Sequence, residues 1–183
     1  LQISYDGTKY KGWQRNKKTG GTIQAKVEQT LSKYFDEDIT LTAAGRTDAG
    51  VHAKMQVANF HTNKQADAET LRRDLNHYLP KDIVVNEISL ADDRFHSRFS
   101  ARQKTYTYTV WRADSPYPPL FERKYVYEYD KLIDISKMKS AARKFLGQHD
   151  FLGFSSDKTK KKTVRTIHTI DMEEDSFTVK ISL

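Results

Sequence analysis

An α+β sandwich with antiparallel sheets is the architecture that the sequence predicts for these 183 residues, and three observations predict it. Short apolar runs of period two alternate with longer runs of period 3.6. Their order is strand, helix, strand, strand, helix, strand over residues 1–90, and the second half begins again with a strand. Gly, Pro and Asp punctuate the boundaries. No sequence repeat is evident, yet the order of elements divides the chain into two related halves, 1–100 and 101–183.

Residues 1–5 alternate apolar and polar, as a strand does, and Asp6-Gly7 turns the chain. Residues 7–21, rich in Gly, Lys and Thr, read as a loop. Ile23, Val27, Leu31, Tyr34 and Phe35 share one face of a helix, with Thr22 as its cap. Residues 39–44 read as a strand, 45–52 as a tight loop and 55–61 as another strand. Leu71, Leu75, Tyr78 and Leu79 mark a second helix, which Pro80 ends, and residues 83–90 a strand. In the second half, residues 105–111 form a strand with Tyr106, Tyr108 and Val110 on one face. Pro116, Pro118 and Pro119 interrupt the chain before a short strand at 125–129. Met138, Ala141, Ala142, Phe145 and Leu146 predict a third helix, capped by Ser136 and stopped by Gly147. Residues 163–173 and 177–183 read as a closing hairpin.

Composition narrows the function. Lys and Arg total 31 against 24 Asp and Glu, a net charge of +7, which favours a polyanionic partner such as a nucleic acid. Cysteine is absent, so disulfides and thiolate metal sites are excluded. No apolar run approaches the roughly 20 residues of a membrane helix. A soluble, cytoplasmic protein with no membrane partner is the expectation. His52, His61, His77, His96, His149 and His168 are scattered, and none forms a paired metal-binding motif, so no metal is expected.

One segment invites chemistry. In Gly45-Arg46-Thr47-Asp48-Ala49-Gly50-Val51-His52-Ala53, two glycines bracket Arg46, Thr47 and Asp48 directly after an apolar strand. Glycine lets a backbone take positive φ and approach a ligand closely. A carboxylate on such a loop serves as a nucleophile or a base. Asp-Ala-Gly is equally ordinary turn chemistry, and the residues alone do not lift the loop above that.

The full string is similar to the signature of the tRNA pseudouridine synthase A family, and it is not isolated. Residues 5–15, Tyr5-Asp6-Gly7-Thr8-Lys9-Tyr10-Lys11-Gly12-Trp13-Gln14-Arg15, resemble the family's opening segment. Leu75-Asn76, Leu79-Pro80 and Phe95-His96-Ser97-Arg98-Phe99-Ser100-Ala101 resemble its middle blocks, and Lys104-Thr105-Tyr106-Thr107-Tyr108 its tyrosine motif. The blocks stand in the family's order, and the resemblance is sharpest before residue 112.

The resemblance implies a pseudouridine synthase fold of two ferredoxin-like halves, with helices packed on one face of antiparallel sheets. It implies isomerisation of uridine to pseudouridine in the anticodon stem-loop of tRNA, at the positions conventionally numbered 38 to 40. It also implies no cofactor and a homodimer. Carried over by motif, Asp48 is the catalytic carboxylate, Arg46 pairs with it and helps take the uridine out of the stack, and Tyr106 packs on the uracil. Without the resemblance Tyr106 reads as a core tyrosine beside Tyr108. Lys9, Gln14, Arg15, Thr47, Arg98, Lys104 and Tyr108 are the expected substrate contacts. Lys9, Lys11, Arg15, Lys17 and Lys18 form one candidate phosphate-binding cluster, and Lys158, Lys160, Lys161, Lys162 and Arg165 another. Both ends of the chain read as cut. A longer polypeptide is expected, in which a later segment supplies a further basic residue to the site. The alternative reading is a non-catalytic RNA-binding fragment.

Overall fold

The computed structural model describes residues 1–15, 20–155, 159 and 163–183. The chain forms two compact units, Leu1–Arg102 and Gln103–Leu183. In the first, β1 (Gln2–Tyr5), α1 (Ile23–Phe35), β2 (Thr42–Ala43), β3 (Ala53–Asn59), α2 (Ala68–Tyr78) and β4 (Ile83–Glu87) follow the predicted order. Their sheet runs β2-β3-β1-β4 and is antiparallel throughout. This is the ferredoxin-like arrangement of a β-α-β-β-α-β unit.

Alternation in the strands and helical periodicity meet in one core. Ile3, Tyr5, Ala58, Ile83 and Val85 come from the sheet, and Ile23, Val27, Leu31, Phe35, Leu71 and Leu75 from the helices. Each large side chain so buried stabilises by about 1.5–3 kcal/mol. Thr22 caps α1 as predicted, accepting from the Ala25 N–H. Asp67 caps α2 by accepting from the Thr70 N–H. That helix ends as expected: Leu79, the residue before Pro80, is extended (φ −70°, ψ 150°), because a following proline disfavours the helical conformation.

Two departures in this unit have a local cause. The strand expected over 39–44 pairs only at Thr42 and Ala43. Ile39 and Leu41 are buried in the core, but their N–H groups donate to the Ser32 hydroxyl and the Glu28 carboxylate of α1 instead of to a neighbouring strand. A single helical turn, α3 (Ser97–Ser100), was not anticipated. His96 caps it, and Ser97 donates from its N–H and its hydroxyl to Asn59 Oδ1 at the end of β3.

The second unit holds β5 (Thr107–Trp111), β6 (Tyr127–Glu128), α4 (Ile135–Ala142), β7 (Gly147–Asp150), β8 (Val164–Ile167), β9 (Asp171–Glu174) and β10 (Thr178–Ser182). The main sheet runs β6-β5-β10-β9. It is antiparallel except for the parallel pair β5–β6. Asp134, not Ser136, caps α4, since its carboxylate accepts from the Lys137 N–H. The strand predicted over 163–173 breaks in two. β8 pairs with β7, and only β9 pairs with β10 in the closing hairpin. Among the described residues of this unit, Pro119 and Val179 are the buried ones. No helix among the described residues is long and apolar enough to cross a membrane.

Candidate active site

Sheet register decides what stands beside Asp48. The antiparallel pairing of β1 with β3 sets Tyr5 opposite Ala53. The loop leaving β1 and the loop entering β3 therefore lie side by side, and the two sharpest sequence motifs, 5–15 and 45–53, become one structure. Their backbones interlock: Trp13 N–H donates to Thr47 O (3.0 Å), and Gly50 N–H to Tyr10 O (3.2 Å). Gly7 N–H donates to Nδ1 of His52 at 3.1 Å, and Asp6 lies 3.2 Å from the same nitrogen. The Tyr5 hydroxyl meets Thr47 Oγ1 at 2.8 Å, and the Gln56 amide donates to Gly45 O at 2.6 Å. Asp48 itself is exposed at the tip, where its carbonyl accepts from the Val51 N–H at 3.2 Å.

Two glycines make this contact close. A Cβ on Gly7 would stand 2.0 Å from Val51 O. Gly12 combines a positive φ of +84° with a Cβ position 2.6 Å from Thr47 O, so no other residue fits there without moving the Asp48 loop. Tyr5 and Tyr10 support the arrangement as neutral phenols. Burial raises the Tyr5 pKa against the opposing hydrogen bonds from Thr47 and Gln56. Burial and the hydrogen bond to Asp82 push Tyr10 far above the usual phenol range.

Behind the loops lies a polar network in α1 that sequence inspection missed. Glu28 and Gln24 are both buried. Glu28 Oε1 accepts from the Gln24 side chain (2.8 Å) and from Leu41 N–H (2.9 Å). Gln24 also donates to Leu41 O and accepts from Arg15 N–H at 2.8 Å. Arg15 Nε meets Glu28 Oε2 at 3.1 Å as an ion pair, out of line for a hydrogen bond. The signal in the sequence was a glutamate and a glutamine four residues apart, each directly following a core residue, Ile23 or Val27, in the helix.

The remaining candidates are distributed as follows. Arg46 is exposed and, among the described residues, makes no ion pair with Asp48. Two exposed charges gain little from pairing in water. Lys9 is exposed and 4.0 Å from Asp82. The Gln14 amide donates to Arg15 O at 3.3 Å. Thr47 is engaged by Tyr5, and Arg98 projects from the exposed part of α3. Lys104, Tyr106 and Tyr108 belong to the second unit and are exposed. Tyr106 exchanges both backbone hydrogen bonds with Leu183, which extends the β5–β10 ladder and anchors its backbone, so the core-tyrosine reading does not hold. Arg165 lies exposed on β8. Lys17, Lys18, Lys158, Lys160, Lys161 and Lys162 lie outside the described residues. Among the described residues, no group of three His, Asp or Glu side chains is arranged to hold a metal ion.

An exposed carboxylate on a clamped backbone can attack or deprotonate a bound substrate, provided the substrate is brought to it in a fixed pose. Comparison with known proteins supplies the substrate's class. A family model described as tRNA pseudouridine synthase matches residues 2–100 and 141–182. The first stretch contains both interlocked loops, whereas Lys104, Tyr106 and Tyr108 fall between the two. The chain is 45% identical over 182 residues to the tRNA pseudouridine synthase A of Bacillus sp. (strain KSM-64), covering 99% of this chain and 74% of that protein. It is 44% identical over 183 residues to tRNA pseudouridine synthase A 2 of Clostridium perfringens (strain 13 / Type A), covering 99% and 73%. Identity over nearly the whole chain, with the Asp48 loop and its seat inside the matched region, establishes that this chain belongs to the tRNA pseudouridine synthase family.

Proposed function

We propose that this protein isomerises uridine to pseudouridine in the anticodon stem-loop of tRNA, at positions 38 to 40, with Asp48 as the catalytic carboxylate. Membership of the family makes it an isomerase acting on tRNA. The observation that carries the assignment of Asp48 is the double clamp on its loop. Thr47 and Gly50, on either side of Asp48, are both tied by backbone hydrogen bonds to the segment 10–13. Such a clamp is what a carboxylate needs if it is to meet a ribose in a single pose.

The reaction breaks the bond from ribose C1′ to uracil N1, turns the base in place and joins C1′ to C5. The C5 proton is released and N1 takes up a proton, so the product is an isomer and no oxidant, cofactor or energy source enters. Asp48 either adds to the nucleoside or removes a ribose proton. Extruding the uridine costs a few kcal/mol, and Arg46, exposed and two residues before Asp48, helps take it out of the stack. Tyr106 offers a ring to the flipped base, where stacking is worth roughly 1–3 kcal/mol. Lys9, Gln14, Arg15, Arg98, Lys104 and Tyr108 contact the tRNA, and Thr47 acts through the loop it holds. The protein works as a cytoplasmic homodimer.

The test is release of tritium from tRNA carrying C5-labelled uridine. Asp48→Ala is expected to reduce release to background while tRNA affinity stays within about tenfold, since tenfold is only ~1.4 kcal/mol. Undiminished release by the variant sinks the assignment. Salt-dependent tRNA binding by the wild-type protein with no release at all supports a non-catalytic RNA-binding role instead.

A further inference from the structure

We propose that Glu28 is a positioning residue that holds the Arg15 guanidinium in place for a phosphate of the tRNA. The inference rests on tRNA being the substrate and adds a residue that no motif resemblance supplied. Its starting point is a carboxylate inside the core. Glu28 is 2% exposed on a helix face shared with Val27 and Leu31. A buried charge is costly unless its hydrogen-bonding capacity and its charge are both answered. Oε1 is answered twice, by the Gln24 amide and the Leu41 N–H. Oε2 has no hydrogen bond and faces one cation, the Arg15 Nε at 3.1 Å.

The arginine's side of this pair is the informative one. Its side chain is 55% exposed although its partner is sealed. It makes no other ion pair among the described residues. Guanidinium carries five N–H donors in a planar fork and stays charged at any working pH. With Nε set against Glu28, the terminal nitrogens remain for an acceptor outside the protein, and phosphate oxygens match that fork. The backbone is pinned as well: Arg15 N–H donates to Gln24 Oε1, and Gln24 N–H to Trp13 O. Trp13 in turn donates to Thr47 O in the loop of Asp48. The pinned segment 13–15 thus links the arginine to the catalytic carboxylate, and Lys9 and Lys11 stand exposed on the same loop. Such a chain of contacts fixes where a phosphate lies relative to Asp48. An arginine serving only as counter-charge to Glu28 would need none of that exposure.

The experiment measures tRNA Kd across a series of KCl concentrations. The double variant Arg15→Ala/Glu28→Gln leaves no unpaired charge in the core. It is expected to bind roughly tenfold more weakly near 0.1 M salt. Its slope of log Kd against log [KCl] is expected to be shallower by about 0.7–0.9, the loss of one phosphate contact. Glu28→Gln alone keeps the Arg15 charge but not its placement, so affinity falls severalfold with the slope retained. Arg15→Lys, which keeps a cation beside Glu28 and the fold intact, is expected to weaken binding severalfold because an ammonium cannot serve both partners as a fork does. A wild-type slope in the double variant, or wild-type affinity in Arg15→Lys, overturns the proposal. A wild-type protein that binds tRNA without isomerising it sinks the functional reading alone, because the Kd slopes still judge this one.

Discussion

Gly12 stands where the two loops press together, and its lack of a side chain is a geometric requirement of the Asp48 loop. A methyl there would sit 2.6 Å from Thr47 O on a backbone with φ +84°. Gly12→Ala is therefore expected to shift the loop and cut kcat by about 100-fold, the cost of displacing a catalytic group by around 1 Å. Turnover assays on folded variant protein check this. Tyr5→Phe removes the hydroxyl contact with Thr47 while keeping the ring in the core. Urea unfolding should show a loss of about 0.5–1.5 kcal/mol, with a measurable fall in kcat. The Asp48 motif was legible as a string, and its neighbours in sequence could be named. That Tyr5, Gly7, Gly12 and Trp13 form its seat was not legible, because the contacts span about forty residues and depend on the register of β1 against β3. Glu28 escaped notice for a related reason. A glutamate in an amphipathic helix reads as solvated until its partners, Leu41 N–H and Arg15, are seen to arrive from elsewhere in the chain.

Elements were most legible where their own pattern decides their state. α1 and α2 carry an apolar stripe, a capping Thr or Asp, and, for α2, a proline stop, and both formed close to where these signals stand. Leu75 lies at the centre of the α2 stripe and is fully buried. Leu75→Ala is expected to cost 2–5 kcal/mol in urea unfolding while leaving kcat of the remaining folded protein near wild type. That is the opposite signature to Gly12→Ala. Elements were least legible where pairing decides. β7 is Gly147-Gln148-His149-Asp150, a polar run with no alternation, and it is a strand only because β8 lies against it. Ile39 and Leu41 have strand composition, yet side chains of α1 take their N–H groups. Asp134 and not Ser136 caps α4, because Asp134 is the extended residue before the first turn and its carboxylate accepts from the Lys137 N–H, whereas Ser136 lies inside that turn.

At the scale of the whole molecule, buried phenols couple stability to alkaline pH. Tyr10 is buried and donates to Asp82, and its folded pKa lies well above the unfolded value of about 10. Below pH ~10 the phenol is protonated in both states, so its stabilising contribution is fully present. Above that, the unfolded chain releases the proton while the folded chain keeps it, so stability falls as pH rises. The urea midpoint should drop between pH 8 and 10.5, and Tyr10→Phe should lessen the drop. Tyr5 shifts in the same direction by burial and adds to it.

The sequence by itself determined the α+β class, the strand-helix-strand-strand-helix-strand order of the first unit, the basic character suited to RNA and the string in which Asp48 stands. Each of these follows from local spacing or composition, which a single stretch of chain contains. Only the tertiary structure decided that residues 5–13 form the floor beneath Asp48, that Arg46 stands exposed and unpaired with Asp48, and that Arg15 is braced by a buried glutamate. Those depend on which strand pairs with which, and in what register. Register is set by how the whole apolar face is buried and not by the residues that finally touch.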